Sequence, residues 1–231
     1  MTDRRARAPL ALIGALALLL LIGSTASASG AARVVFHGDR SHRTIALTFD
    51  DGWGLSQCKS IVNTLLKMHA TATFFPNSNY VQNAPAFWRR VAKLGFPIGN
   101  HTASHLDLTR LSTSQIRVQL ARDERVVEKI TGRPMIKVFR PPYGAYNQTV
   151  LRVARSLGYR TALLWDTTDA DSSQASDAAH IRTAMRGVNG SVLLMHCGPS
   201  VTPRILPAII RGYRKRGFTF VTVPQLLAGI G

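Results

Sequence analysis

The chain has 231 residues, 45% of them hydrophobic and 18% charged. That is enough apolar material for one core-bearing domain and too much for wholesale disorder. A single long apolar run excludes a multi-pass membrane protein, and two cysteines exclude a disulfide scaffold or an all-cysteine zinc site. The 29 lysines and arginines against 12 acidic residues leave a net charge of +17, which points to anionic surroundings.

Arg4, Arg5 and Arg7 precede an apolar run over 10–22, and Ala26-Ser27-Ala28 supplies small residues for cleavage. Residues 1–28 therefore read as a secretory signal peptide, with an uncleaved anchor as the alternative; the run is shorter than the roughly 20 residues of a spanning helix. The expected location is extracellular, in part associated with the cell wall. Cleavage after Ala28 leaves 26 basic residues against 11 acidic ones. An exported basic protein meets anionic wall polymers more readily than nucleic acid, which is not an expected partner.

Residues 29–42 read as an N-terminal extension and 43–231 as one domain. Within it, short β-branched and apolar runs predict strands at 44–49, 71–75, 96–99, 136–140, 161–165, 191–195 and 218–221. Amphipathic stretches predict helices over 56–69, 84–94, 112–131, 147–157, 177–188 and 202–216, with a short one at 224–228. Gly95, Gly132, Gly158 and Gly217 each follow a helical stretch, where a left-handed cap residue is favoured. Alternating strand and helix predicts an α/β fold with a parallel sheet. Seven strands suit an incomplete or distorted barrel, whose chemistry gathers where strands end.

The unusual residues stand at those ends. Asp50 and Asp51 close the first strand in Thr48-Phe49-Asp50-Asp51-Gly52. Strand side chains alternate, so the two carboxylates are expected to point apart, one to a metal and one to substrate or water. His101 and His105, four residues apart, would share a face of a helical turn and grip one ion; with Asp51 they make two histidines and a carboxylate, a set that leaves coordination positions open. Arg140 opens Arg140-Pro141-Pro142-Tyr143-Gly144 and is expected to pair with Asp50, favouring its ionised form. Asp166, Asp169 and Asp171 crowd one short segment, and His196 ends the apolar run Leu193-Leu194-Met195. A carboxylate from that segment would orient His196 and raise its pKa toward acid catalysis. Each signal alone also has a plain structural reading: a turn, a surface arginine, a solvated acidic loop, a packed histidine.

Taken in order, TFDDG, HTxxH, RPPYG, the Asp-rich segment and LLMH resemble the polysaccharide deacetylases of the NodB-homology type, carbohydrate esterase family 4, over roughly 44–223. The resemblance implies a distorted seven-stranded (β/α) barrel, a metal-dependent hydrolase of amide bonds, and a divalent ion, zinc or else cobalt or another, on Asp51, His101 and His105. It implies Asp50 as general base, Arg140 as its orienting partner, His196 as the acid that protonates the leaving amine, and Asp171, or alternatively Asp169, behind that histidine. The backbone N–H of Tyr143 would help hold the oxyanion, and Leu193 would line the substrate side. The chain departs from the family where Ser172 replaces the tryptophan that usually follows the aspartate. Trp53, after the first motif, is either a sugar-stacking platform or a packed loop residue. Cys58 and Cys197 both fall near the same barrel face and are a candidate disulfide for an exported protein.

The expected activity is N-deacetylation of a polymer containing N-acetylglucosamine or N-acetylmuramic acid, chitin-like or peptidoglycan, with release of acetate, by a monomer. The alternatives are an acetyl-xylan O-esterase and a non-catalytic basic wall-binding protein.

Overall fold

A computed structural model describes residues 1–2 and 30–229. The expected signal peptide, past its first two residues, lies outside the described residues. The elements run β1 (Arg33–Val35), β2 (Thr44–Asp51), α1 (Leu55–Lys67), β3 (Thr73–Pro76), α2 (Ser78–Asn83), α3 (Pro85–Lys93), α4 (Thr113–Thr131), β4 (Val138–Phe139) and α5 (Gln148–Ser156). Then follow β5 (Thr161–Leu163), β6 (Thr167–Thr168), α6 (Asp177–Ala184), β7 (Ser191–His196), α7 (Val201–Lys215), β8 (Thr219–Phe220) and α8 (Val223–Ala228). Short 3-10 turns span Leu108–Arg110 and Pro142–Gly144.

Every strand pairing is parallel. One sheet has the order β3-β2-β7-β6, with β8 also on β2; the other has the order β1-β5-β4. The run from Thr161 to Thr168 belongs to both, pairing first with β4 and β1 and then with β7. The other junction is made by 96–100, through the single bridges Phe74–Ile98 and Asn100–Phe139. The result is a distorted (β/α) barrel rather than an evenly laddered one.

Three expectations change here. The strand expected at 96–99 is reduced to bridges: Pro97 has no N–H to donate, and a Cβ on Gly99 would sit 2.3 Å from the Phe75 ring. The strand expected at 161–165 ends at Leu163, and a second short strand, Thr167–Thr168, follows beyond it. Residues 33–35, expected in an extension, pair with β5 and belong to the domain.

Strand parity sorts the side chains. From β2 and β7, Ile45, Leu47, Phe49, Leu193 and Met195 join the layer packed under α1, α3 and α7. Ala46 and Val192 face the barrel interior with Val35, Phe75, Val138 and Leu163, and α8 closes the floor with Val223 and Leu226. Because β2 is covered on both faces it reads as one continuous buried run, as expected for a parallel sheet. The interior positions of β2 and β7 continue upward to Asp50 and His196, which are register partners on neighbouring strands. Helix ends are locally encoded: Ser112 and Gln115 form a capping box on α4, Gly132 closes it at φ 68°, and Thr222 and Gln225 cap α8 in the same way.

Candidate active site

At the C-terminal end of β2 the alternation breaks. Asp51 has φ 70°, a left-handed backbone that an aspartate adopts only where its surroundings hold it there. The two carboxylates therefore do not point apart, as strand geometry alone predicts. Asp50 Oδ2 and Asp51 Oδ1 lie 3.7 and 3.6 Å from the same atom, His101 Nε2. Both residues line one cavity of about 520 Å³ with His101, His105, Tyr143, Trp165, Asp171, Ser172, Leu194 and His196.

Arg140 is wholly buried, not a surface arginine. Its Nη1 donates to Asp50 Oδ1 at 2.6 Å and to Thr48 Oγ1 at 3.0 Å, while Nε donates to the Leu163 carbonyl at 3.1 Å. The guanidinium also lies 4.5 Å from the centre of the Phe75 ring, completing its cage. Burial raises the Asp50 pKa; Arg140 and the more distant His196 oppose the rise. Arg140 pairs with Asp50 and favours its ionised form as expected, but desolvation is the larger influence, leaving a more basic carboxylate held in one orientation.

His101 and His105 are not on a helical turn. The segment is a loop in which Thr102 and His105 have φ 68° and 56°, and these two left-handed residues turn the imidazoles toward each other, with ring centres 4.9 Å apart. The peptide is pinned from behind: Asp123 Oδ2 accepts the His101 N–H at 3.2 Å, and Asn100 Oδ1 accepts the Thr102 N–H at 3.0 Å. His101 Nδ1–H donates to the Arg140 carbonyl at 2.8 Å, which leaves the Nε2 lone pair facing Asp51. Burial pushes His101 down to about 3, with Asp51 opposing, so the ring is neutral, the form that ligates metals.

Asp51, His101 and His105 fit a divalent ion. One ligand atom from each lies within 4.8 Å of the others. His101 and His105 Nε2 are 3.6 and 3.5 Å from Asp51 Oδ1, too far for hydrogen bonds but near the roughly 3.3 Å that separates donors at about 2.0–2.1 Å from a tetrahedral ion.

Across the cavity, Asp171 Oδ1 accepts from His196 Nδ1 at 2.7 Å, and Asp171 Oδ2 accepts from the His196 N–H at 2.7 Å and from Thr202 Oγ1 at 2.8 Å. Burial pushes His196 down, but the hydrogen bond and charge of Asp171, aided by Asp50 and Asp51, outweigh it and hold the imidazole at about 9. Asp169, the alternative partner, instead accepts the Asp171 N–H at 3.2 Å. Burial and the charge of Asp171 push Asp169 up to about 8.

At the rim, Tyr143 is 70% exposed at φ 61°, with its ring 4.7 Å from that of His105. Trp53 lies outside the cavity lining: it packs against Gly198, where a Cβ would be 2.1 Å from the indole, and its outer face is open to solvent. Leu193 is corrected too. It is fully buried between barrel and helices, and Leu194, of the same strand parity as His196, lines the cavity in its place. Cys58 and Cys197 form a disulfide, Cα atoms 5.0 Å apart, and the Cys197 N–H donates to the Asp50 carbonyl at 2.8 Å.

Three contributing residues escape a motif reading. Thr48 shares strand parity with Asp50, a signal present in the sequence. Asp123 occupies the apolar stripe of α4 with Ile116, Leu120 and Val127, where an acidic residue is out of pattern. Thr202, on α7, had no local signal.

A family profile described as polysaccharide deacetylase matches residues 37–162, more than half of the chain. Among curated relatives, the peptidoglycan-N-acetylglucosamine deacetylase of Bacillus cereus is 31% identical over 199 residues, covering 84% of this chain and 92% of that protein. The peptidoglycan-N-acetylmuramic acid deacetylase PdaA of Bacillus subtilis is 29% identical over 194 residues, covering 82% and 73%. The crystal structure of the Bc1960 peptidoglycan N-acetylglucosamine deacetylase superposes with a TM-score of 0.80 at 28% identity, covering 84% of this chain and 92% of that one. By profile, relatives and fold together, the chain belongs to the polysaccharide deacetylase family, hydrolases of amide bonds.

Proposed function

We propose that the protein is an exported, metal-dependent N-deacetylase of peptidoglycan, removing acetyl groups from its N-acetylglucosamine or N-acetylmuramic acid residues. The carrying observation is one cavity with an Asp-His-His donor set between two differently tuned groups. On one side stands Asp50, buried and held by Arg140; on the other stands His196, held by Asp171. The relatives' names and the basic charge favour peptidoglycan over chitin.

A divalent ion on Asp51, His101 and His105, zinc by its preference for such donors, would supply Lewis acidity, polarising the amide carbonyl and bringing the pKa of water from about 15.7 to about 7. Asp50 accepts the proton of the attacking water, and Arg140 and Thr48 keep its oxygen aimed. The Tyr143 N–H is assigned to the developing oxyanion. His196, protonated at neutral pH, delivers a proton to the departing amine, a poor leaving group without one. Asp171 fixes the tautomer and the ring plane.

The test is acetate release from peptidoglycan, chitin oligomers and acetylated xylan, with zinc or cobalt and with chelator. Release from peptidoglycan is expected, lost on chelation and restored by metal. Asp50→Asn is expected to lower kcat by about 10²–10⁴ while metal content stays the same. Release from xylan esters alone would replace the amide reading by the esterase one. Metal-independent release, or none from a folded, loaded protein, would overturn the reading.

A further inference from the structure

We propose that the pocket beside the reaction cavity is a subsite for the acidic, amide-bearing branch of the glycan, and that Arg110 reads its carboxylate. The inference rests on the peptidoglycan reading and names the part of that polymer which neutral glycans lack.

The pocket, of about 450 Å³, is lined by His105, Leu106, Asp107, Arg110, Leu111 and Tyr143. His105 and Tyr143 also line the reaction cavity, so the two spaces are continuous across one rim. A substrate whose acetamide lies between Asp50 and His196 therefore presents its adjacent substituents here.

The chemistry of the pocket is specific. Arg110 ends the 3-10 turn Leu108–Arg110 and is exposed. Its guanidinium makes no hydrogen bond with the described residues, unlike those of Arg40, Arg140 and Arg204, and its charge acts on the neighbouring Asp107 carboxylate. Asp107, the cap of that turn, has Oδ1 occupied by the Thr109 N–H and Oγ1–H at 3.0 and 2.6 Å. Its second oxygen remains for an N–H donor. Leu106, 46% exposed, and Leu111 add apolar walls. An exposed guanidinium with its N–H donors free of hydrogen bonds, a carboxylate acceptor and two leucines complement a short acidic peptide: a carboxylate for the arginine, an amide N–H for the aspartate, small aliphatic side chains for the leucines. A chain of neutral N-acetylated sugars offers amides but no carboxylate for the arginine.

The test measures kcat/KM for a muropeptide oligomer carrying its acidic peptide and for the matched oligomer with its peptide carboxylates converted to carboxamides, in wild type, Arg110→Gln and Arg89→Gln. Arg89, exposed on α3, controls for the lost positive charge as such. The wild type is expected to favour the acidic oligomer, and Arg110→Gln to lower the ratio of the two constants about tenfold through KM, the size of one charge-assisted contact. Arg89→Gln is expected to leave the ratio unchanged. An equal ratio in wild type and Arg110→Gln, with release intact, would overturn the subsite and leave the deacetylase reading standing. An equal fall in Arg89→Gln would also overturn it, since the effect would then be diffuse electrostatics. No release from either oligomer would overturn both readings at once.

Discussion

Five of the six non-glycine residues with positive φ among the described residues, Asp51, Thr102, His105, Tyr143 and Ala170, stand at the cavity or between its ligands. Such conformations cost on the order of 1–3 kcal/mol each and persist only where neighbours over-determine them. Here the neighbours are visible: Asp123 and Asn100 behind the histidine loop, and β3 beside Asp51, whose carbonyl accepts the Asn77 N–H. At this scale the pH behaviour of His196 is the sharpest prediction. In the metal-free protein its imidazole is expected to titrate at about 9 by NMR. Asp171→Asn is expected to lower that value, because burial is then opposed only by the charges of Asp50 and Asp51. The sign for stability follows. The folded pKa is raised above the unfolded one, so the contribution of the pair is full below about pH 6.5 and is lost as pH rises through about 9. A thermal-denaturation series over that window should show the loss in wild type and little of it in Asp171→Asn.

At the scale of elements, the site is assembled from strand ends that are clamped together. The disulfide ties α1 to the residue after β7, and the Cys197 N–H reaches back to Asp50 at the end of β2. The acid and the base thus share one brace. A loop of 139 residues closed by a disulfide is worth about 4–5 kcal/mol in the chain-entropy model. Cys58→Ser with Cys197→Ser is therefore expected to lower the denaturation midpoint markedly, and non-reducing mass spectrometry of the wild type should find no free thiol. Two free thiols in the folded wild type would remove the brace. The sequence showed that both cysteines fall near one face of the barrel. It showed less of the histidine loop, whose i, i+4 spacing suggests a helix; two left-handed residues reach the same convergence by another path.

For the whole molecule, the basic side chains of the described helices lie mainly at exposed positions, while the buried Arg140 and Asp171 are paired with Asp50 and His196. Exposed charges act at a range set by salt, about 10 Å at 0.1 M and about 3 Å at 1 M. Binding to isolated wall material bearing anionic polymers is expected to weaken several-fold between about 50 and about 500 mM salt in a sedimentation assay. Acetate release from a short neutral oligosaccharide should change little over the same range. Salt-insensitive wall binding would show that the surface charge does not hold the protein there.

By itself the sequence determined the class of fold, the placing of helices and the identity of nearly every chemical group in the cavity, because period-2 and helical patterns, caps and strand-end motifs are local properties. The family resemblance places Leu193 on the substrate side, although strand parity, which puts residues 192, 194 and 196 on one face, points to Leu194. Only the tertiary structure decided where the alternation fails. Asp51 turns inward beside Asp50, the run 96–100 gives bridges instead of a strand, 161–168 divides between two sheets, and Arg140 disappears from the surface. It also decided the ionisation of Asp50 and His196, because the balance between desolvation and pairing depends on which chains cover a carboxylate. The partners involved, Arg140 at Asp50 and Asp171 with Thr202 at His196, come from segments far apart in the sequence, and folding alone brings them together.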